Sequence, residues 1–360
     1  AAWVREYEEL EKGFTTTLVA KELAKPRVTR VLHRGEYNQP TGDPLQPGVI
    51  SVANPLPRNA PPNRLGLAQW ITSPENPLTS RVLVNRIWQR VFGDALVRTP
   101  EDFGLQGEQP THPELLDYLA SRVLAHNWSL KSVIREIALS RTFQLSSEHN
   151  EEAQAVDPEN TLLWRAHRLR KSPEALRDTV LHASGRLDLT PVGSTVAYLG
   201  DQATAVGANK NRRRTDYACR TVYLPVIRND LPEVLDVFDF ADPHVATGGR
   251  PETLVPAQQL YLLNSEFMMA ESIRTAERIM NDQLDPEGRV RRMYGLILNR
   301  PPDSAELADM TEWIRQTAEQ IKEPSEAAGA KGDDTVDRVT QAWALACQAL
   351  FASSEFQIAD

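Results

Sequence analysis

The sequence is poor in the features that usually announce a chemistry. Only two cysteines occur in 360 residues, Cys219 and Cys347, with no C-x-x-C pair and no C-x-x-C-H. That leaves a zinc knuckle and a covalently attached haem without support within the chain. The two thiols either pair with each other or act as small buried hydrophobes. No apolar run approaches the ~20 residues that span a bilayer, so the chain is not expected to be transmembrane. A G-x-S-x-G elbow, a P-loop and a glycine fingerprint after a strand are all missing, which leaves acyl transfer, nucleotide and dinucleotide chemistry without support. The opening "AAWVREYEELEKGF" has no basic stretch followed by an apolar one. It does not read as a signal peptide, so the chain is either cytoplasmic or a piece of a longer protein. The formal charge of -9 disfavours a nucleic-acid partner. No repeat of fixed period is found.

What remains is mostly helical. A chain of this length can bury a large core, as one large domain or two smaller ones. Residues 1–24 read as one helix. Residues 25–62, "KPRVTRVLHRGEYNQPTGDPLQPGVISVANPLPRNAPP", are crowded with Pro and Gly and read as an extended arm with at most short strands. Asn63 is placed to cap a short helix ending near Trp70 and Ile71. In "NPLTSRVLVNRIWQRVFGDALVRTPEDFG", residues 76–104, a helical wheel puts Leu83, Val84, Ile87, Trp88, Val91 and Phe92 on one half. Asn85, Arg86, Gln89 and Arg90 fill the other, and Gly93 ends the helix.

Further along, "THPELLDYLASRVLAHNW" opens at capping-box spacing, and Ser129 and Ser172 are placed to start two more helices. "TVYLPVI", residues 221–227, has strand character that Pro225 confines to an edge. Helices are expected over about 230–238, 256–281, 286–298, 303–321 and 335–352. The fold class is therefore mainly α: a multi-helix array with an extended Pro-rich N-terminal arm and one or two short strands.

Three groups of polar residues are candidate sites, each with a plainer reading beside it. Asn85, Arg86 and Gln89, with Arg90, form either a wetted helix face or a strip for an anion or a sugar, since arginine grips planar carboxylates and sulfates with two parallel bonds. Glu101, Asp102 and His112 lie in or beside "TPEDFGLQGEQPTH"; they are either acids at a helix start, favoured by the macrodipole, or the carboxylate pair and His that acid–base chemistry on a glycosidic bond needs. Arg213, within Arg212-Arg213-Arg214, and Arg228 are ligand-binding candidates. The basic run either binds an acidic polymer, or is solvated, or is matched to "DVFDFADPH". Asp236, Asp239, Asp242 and His244 in that stretch do not have the spacing of a calcium loop, and no metal site is assigned.

The stretch "NRLGLAQWITSPENPLTSRVLVNRIWQRVFGDALVRTPEDFGLQGEQPTHPELLDYLA" resembles a domain family of unknown function abundant in planctomycetes and related bacteria. The resemblance continues through "NWSLKSVIREIALSRTFQLSS", "RTVYLPVIRNDLPEVLDVFDFADP", "VPAQQLYLLNSEFM" and "ALFASSEFQ", over about residues 60–360. The turn "GGRPET", residues 248–253, differs a little from the family's usual basic version, a departure that falls on Arg250.

In that family the domain typically follows another domain of unknown function, and often a c-type cytochrome domain, in large exported proteins. The resemblance therefore implies two parts: a helix and arm over 1–62 that join a missing upstream domain, and a helical domain over 63–360. It implies a periplasmic or extracellular location. No cofactor is expected in this chain; haem c belongs to a separate upstream domain. The family offers no mechanism from which catalytic residues are carried over.

Three functions are compatible with these features: a scaffold or ligand-binding module working with a cytochrome or carbohydrate-processing partner, a hydrolase acting on polysaccharide through Glu101, Asp102 or His112, and an electron-transfer accessory. The partners they imply are the upstream domain, a cytochrome domain or a polysaccharide, and not nucleic acid.

Overall fold

The structure is a computed structural model that describes residues 2–12, 14, 19–192, 217–228, 230–250, 252–321 and 336–359. It is mainly α: α-helices dominate the described residues, and the strands amount to two antiparallel two-stranded ladders. Internal contacts divide the chain into two units, Ala1–Val84 with Asp117–Ser129, and Asn85–Leu116 with Leu130–Asp360.

The first unit begins with α1 (Ala2–Lys12). The single helix expected over 1–24 is not found, because residues 19–24 are not helical. The sequence after Lys12, Gly13-Phe14 and then three β-branched threonines, is poor helix material. Along the arm, β1 (Val31–Leu32) pairs with β2 (Pro40–Thr41), with Val31 opposite Thr41 and Leu32 opposite Pro40. Then α2 (Arg64–Ile71) is capped by Asn63, whose side-chain oxygen accepts from the Leu65 and Gly66 N–H groups. Gly66 is required there, since a Cβ would run into the Pro61 carbonyl. Trp70 is buried and its indole N–H donates to the Asn54 carbonyl at 2.6 Å. The first turns of α3 (Thr79–Phe92) and the later turns of α4 (Pro113–Ala125) also belong to this unit. Arg81 pairs with Asp117 at 2.7 Å, and Leu119, Ala120 and Val123 are buried as the apolar stripe of α4 predicts.

The arm itself does not bury its apolar side chains. Tyr37 is 89% exposed and Val52 is 92% exposed, and Val28, Val31 and Ile50 are open as well. Such an arm could bury these side chains on the helical domain or on an upstream domain; the described chain leaves them uncovered.

The second unit holds the main core. Its elements in order are the last turns of α3, α5 (Leu130–Ala138), α6 (Glu151–Val156), β3 (Leu169–Arg170), α7 (Pro173–Ser184), α8 (Glu233–Val237), α9 (Pro256–Asn264), α10 (Glu266–Asn281), α11 (Pro286–Ile297), α12 (Ser304–Gln320), α13 (Arg338–Phe351), α14 (Ser354–Gln357) and β4 (Ile358–Ala359). β4 returns to pair with β3, Leu169 opposite Ala359 and Arg170 opposite Ile358. The core joins Val180 and Leu181 of α7, Met268 and Ile279 of α10, Met293 of α11 and Phe351 of α13. Cys347 is buried in it, and Cys219 is half-buried; both are free thiols.

Two expectations change in detail. The helix expected over 256–281 is broken at Ser265, which ends α9 and caps α10 by accepting the Met268 N–H. "TVYLPVI" forms no strand; Thr221–Tyr223 is a single 3-10 turn, consistent with Pro225 denying the segment a ladder bond. No helix among the described residues is long and apolar enough to cross a membrane.

Candidate functional site

The end of α3 divides its polar residues between two tasks. Asn85 is fully buried, and its amide is committed to the backbone of Val97: the Nδ2 group donates to the Val97 carbonyl at 3.0 Å and Oδ1 accepts the Val97 N–H at 2.8 Å. This corrects its placement on the wetted half of the helix. An amide carries both a donor and an acceptor, so it can stand in for a strand partner to an extended segment. One turn on, Gln89 and Arg90 face a cleft of about 320 Å³. Arg86 is exposed and does not line that cleft. Helix α3 ends at Gly93, at φ +91°, where a side chain would collide with Leu169.

The opposite walls of the cleft come from the β3–α7 junction and from the loop over residues 248–252. At the junction, Ser172 accepts the Ala175 N–H and Pro173 occupies the first turn of α7, so the chain before it leaves in extended form with Arg170 and Lys171 at its end. The Arg170 guanidinium donates to the Thr253 carbonyl, to Gln258 Oε1 at 2.8 Å and to Gln357 Oε1 at 3.2 Å. Lys171 donates to the Phe356 carbonyl at 2.6 Å, and its ammonium lies 4.4 Å from the centre of the Phe356 ring. Burial lowers the Lys171 pKa from its ordinary value, because a half-buried ammonium loses hydration.

In the loop, Arg250 donates to Glu174 Oε2 at 2.8 Å and lies over the Phe240 ring at 4.9 Å. Burial pushes the Glu174 carboxyl up, but the hydrogen bonds it accepts, led by that from Arg250, outweigh this and leave it below its usual value. Asp239, on the cleft wall, accepts from the Thr253 N–H and hydroxyl and from the Gln258 amide. It is engaged in folding the loop. Asp242 likewise accepts the His244 N–H. Among the described residues no three His, Cys, Asp or Glu side chains gather where they could hold a metal ion.

The carboxylates singled out in the sequence are occupied by backbone groups. Glu101 accepts the Gly248 N–H and so ties its own loop to the cleft rim; a Cβ on Gly248 would sit 2.6 Å from that carboxylate. Asp102 accepts the Gly104 N–H at 2.7 Å, as aspartates in turns do. His112 pairs with the Thr111 hydroxyl at 3.0 Å and lines a separate hollow of about 20 Å³ with Asp94 and His167, room for about one water molecule. Glu101 and His112 therefore serve different surroundings. Arg228 is exposed and lines neither hollow. Arg213 lies outside the described residues.

The cleft thus converges four cationic side chains, Arg90, Arg170, Lys171 and Arg250, with Asp239 and Glu252 also on its walls. Arg90 is exposed and makes no hydrogen bond or ion pair among the described residues. Guanidinium groups bind carboxylate and sulfate oxygens in pairs, so such a lining has the chemistry that suits an anion. The sequence reading reached Gln89 and Arg90 but not Arg170 and Lys171. Their signal was the basic run "RAHRLRK" directly before the Ser172 cap.

The profile of the PSD1 family, described as Protein of unknown function (DUF1553), matches residues 63–314, well over half of the chain. The chain belongs to this family. The match agrees with the resemblance to a family of unknown function read from the sequence. All of the cleft-lining residues fall within the matched span. No curated protein and no solved structure matches the chain.

Proposed function

We propose that this chain is a ligand-binding module that recognises the carboxylate or sulfate group of an acidic carbohydrate in the cleft between the end of α3, the β3–α7 junction and the 248–252 loop. The observation that carries this reading is Arg90, a cation without a partner among the described residues, on a cleft wall whose other cations are held in place by Thr253, Gln258, Gln357, Phe356 and Glu174. Groups anchored in this way bind without first losing side-chain freedom. Binding is favoured over hydrolysis because Glu101 meets the Gly248 N–H at the cleft rim while His112 lines a separate hollow, so the acid–base set does not converge. In the wider protein, the module works beside an upstream domain joined through residues 1–62, in the periplasm or outside the cell. That setting rests on the family resemblance, and the exposed apolar side chains of the arm support it as a surface left for another domain.

The test is calorimetric titration of the full chain with glucuronate, a hexose sulfate and glucose. Binding of one acidic sugar is expected, with no heat from glucose. Arg90→Ala should weaken the acidic sugar by about tenfold, on the scale of one charge-assisted hydrogen-bonded pair. Equal binding of glucose, or an Arg90→Ala protein that binds as the parent does, would overturn the reading.

A further inference from the structure

Beside the cationic cleft lies a second hollow of about 640 Å³, and the two meet at Arg170 and Glu252, which line both. Their chemistry differs sharply. The second hollow adds Arg168, but most of its surface is apolar or neutral: Leu254, 88% exposed, with Val255 and Pro256 on one side, and Gln259 and Ser354 among its polar groups. Leu254 is an exposed leucine on a wall of a groove, within an apolar ledge that nothing in the described chain covers.

Arg170 stands at the junction. Three of its N–H groups are taken, by the Thr253 carbonyl and by the Gln258 and Gln357 side chains. A guanidinium has five, so among the described residues two are left without a partner, for a ligand passing over it.

We propose that the ligand is an acidic oligosaccharide that places one anionic sugar in the cationic cleft and lays the adjoining, neutral sugar on the Leu254–Val255–Pro256 ledge, crossing at Arg170. This rests on the anion-binding reading above and deepens it. A pyranose ring presents C–H faces that suit an apolar ledge, and hydroxyls that suit an amide and a serine. A nucleic acid carries a phosphate on every unit and gains its affinity from successive cations; past Arg168 the ledge offers none. The uneven charge along the two hollows matches a chain in which charged and neutral units alternate.

The experiment titrates the full chain with glucuronate, with a tetrasaccharide of alternating glucuronate and N-acetylgalactosamine, and with the same tetrasaccharide carrying a sulfate ester on the amino sugar. Single-stranded DNA and polyglutamate serve as other polyanions. The unsulfated tetrasaccharide, whose amino sugar is neutral, is expected to bind about tenfold tighter than glucuronate and at least as tightly as the sulfated one. Leu254→Ser, an uncharged change at a position too exposed to disturb the fold, should abolish that gain and leave glucuronate binding unchanged.

An unsulfated tetrasaccharide no tighter than glucuronate, a gain found with the sulfated tetrasaccharide alone, or a gain that survives Leu254→Ser would overturn the ledge proposal while leaving the anion cleft standing. Tighter binding of DNA or polyglutamate than of either tetrasaccharide would overturn it as well. Glucuronate binding indifferent to Arg90→Ala would instead remove the cleft reading beneath it, and no binding of any acidic sugar would remove both.

Discussion

The arm over residues 25–62 and the helical core of the second unit draw on the same apolar residue types and place them in opposite surroundings. In the arm, Val52 is 92% exposed; in the core, Val180 of α7 is fully buried. Hydrophobicity is equal at the two positions, so it does not decide the outcome. Periodicity does. Helix α7 returns Leu176, Val180 and Leu181 to one face, where facing helices can cover them together. The arm's prolines and glycines interrupt any such face, so its valines have no common side to bury.

This contrast is most directly sharpened by paired truncations. Phe351→Ala, in α13, removes a fully buried ring that packs edge-on against Phe356 at 5.1 Å between centroids. It should cost about 3–5 kcal/mol in urea denaturation. Val52→Ala in the arm should stay within about 0.5 kcal/mol of the parent. Similar losses at both sites would mean that the arm is covered in solution and the contrast is false.

A smaller effect is expected inside α3. Asn85→Ala strands the N–H and the carbonyl of Val97 in a buried place. The expected cost is about 1–3 kcal/mol for each group left without a partner. Arg86→Ala, one residue away and exposed, should be near neutral. Equal stability of the two variants would contradict the division of the helix described above.

The smallest effect is a pH dependence. Arg300 holds Glu306 with two bonds of 2.7 Å, and that hydrogen bonding, aided by the Asp303 N–H, lowers the Glu306 pKa to about 2. A depressed carboxylate pKa adds stability that is present above the unfolded value and is lost as pH falls through the folded one. The contribution of Glu306 should therefore fade from about pH 4.5 to about pH 2. Thermal melts of the parent and of Glu306→Gln should converge across that window and diverge above it. Melts that stay parallel down to acid pH would show that the pair does not hold in solution.

Much of the fold was legible because capped helices announce themselves locally. Ser172-Pro173-Glu174 opens α7, and the stripe through Leu116, Leu119 and Val123 marks α4. The break at Ser265 was missed, although a serine followed by Glu266 in a first turn is a start signal, because the apolar pattern runs through it without interruption. The candidate site was harder to see. A wheel orders residues by angle and does not tell which polar side chain is claimed by a distant backbone, as Val97 claims Asn85. Arg170, Lys171 and Arg250 meet only because β4 returns from the end of the chain to fix β3 and because the 248–252 loop is tied down by Glu101 and Glu174. These contacts are remote in sequence, so no local pattern contains them.

The central claim, that the cleft is an anion site, is tested most directly at the Gly248 and Gly249 amides on its rim. The full chain labelled only at glycine nitrogen would be titrated with glucuronate or a hexose sulfate and, separately, with glucose. The account predicts that an acidic sugar shifts the Gly248 and Gly249 resonances in a saturable way, that glucose does not, and that glycines such as Gly35 and Gly295, which line neither hollow, stay in place. Shifts confined to glycines away from the cleft, or no saturable shift with either acidic sugar, would contradict it.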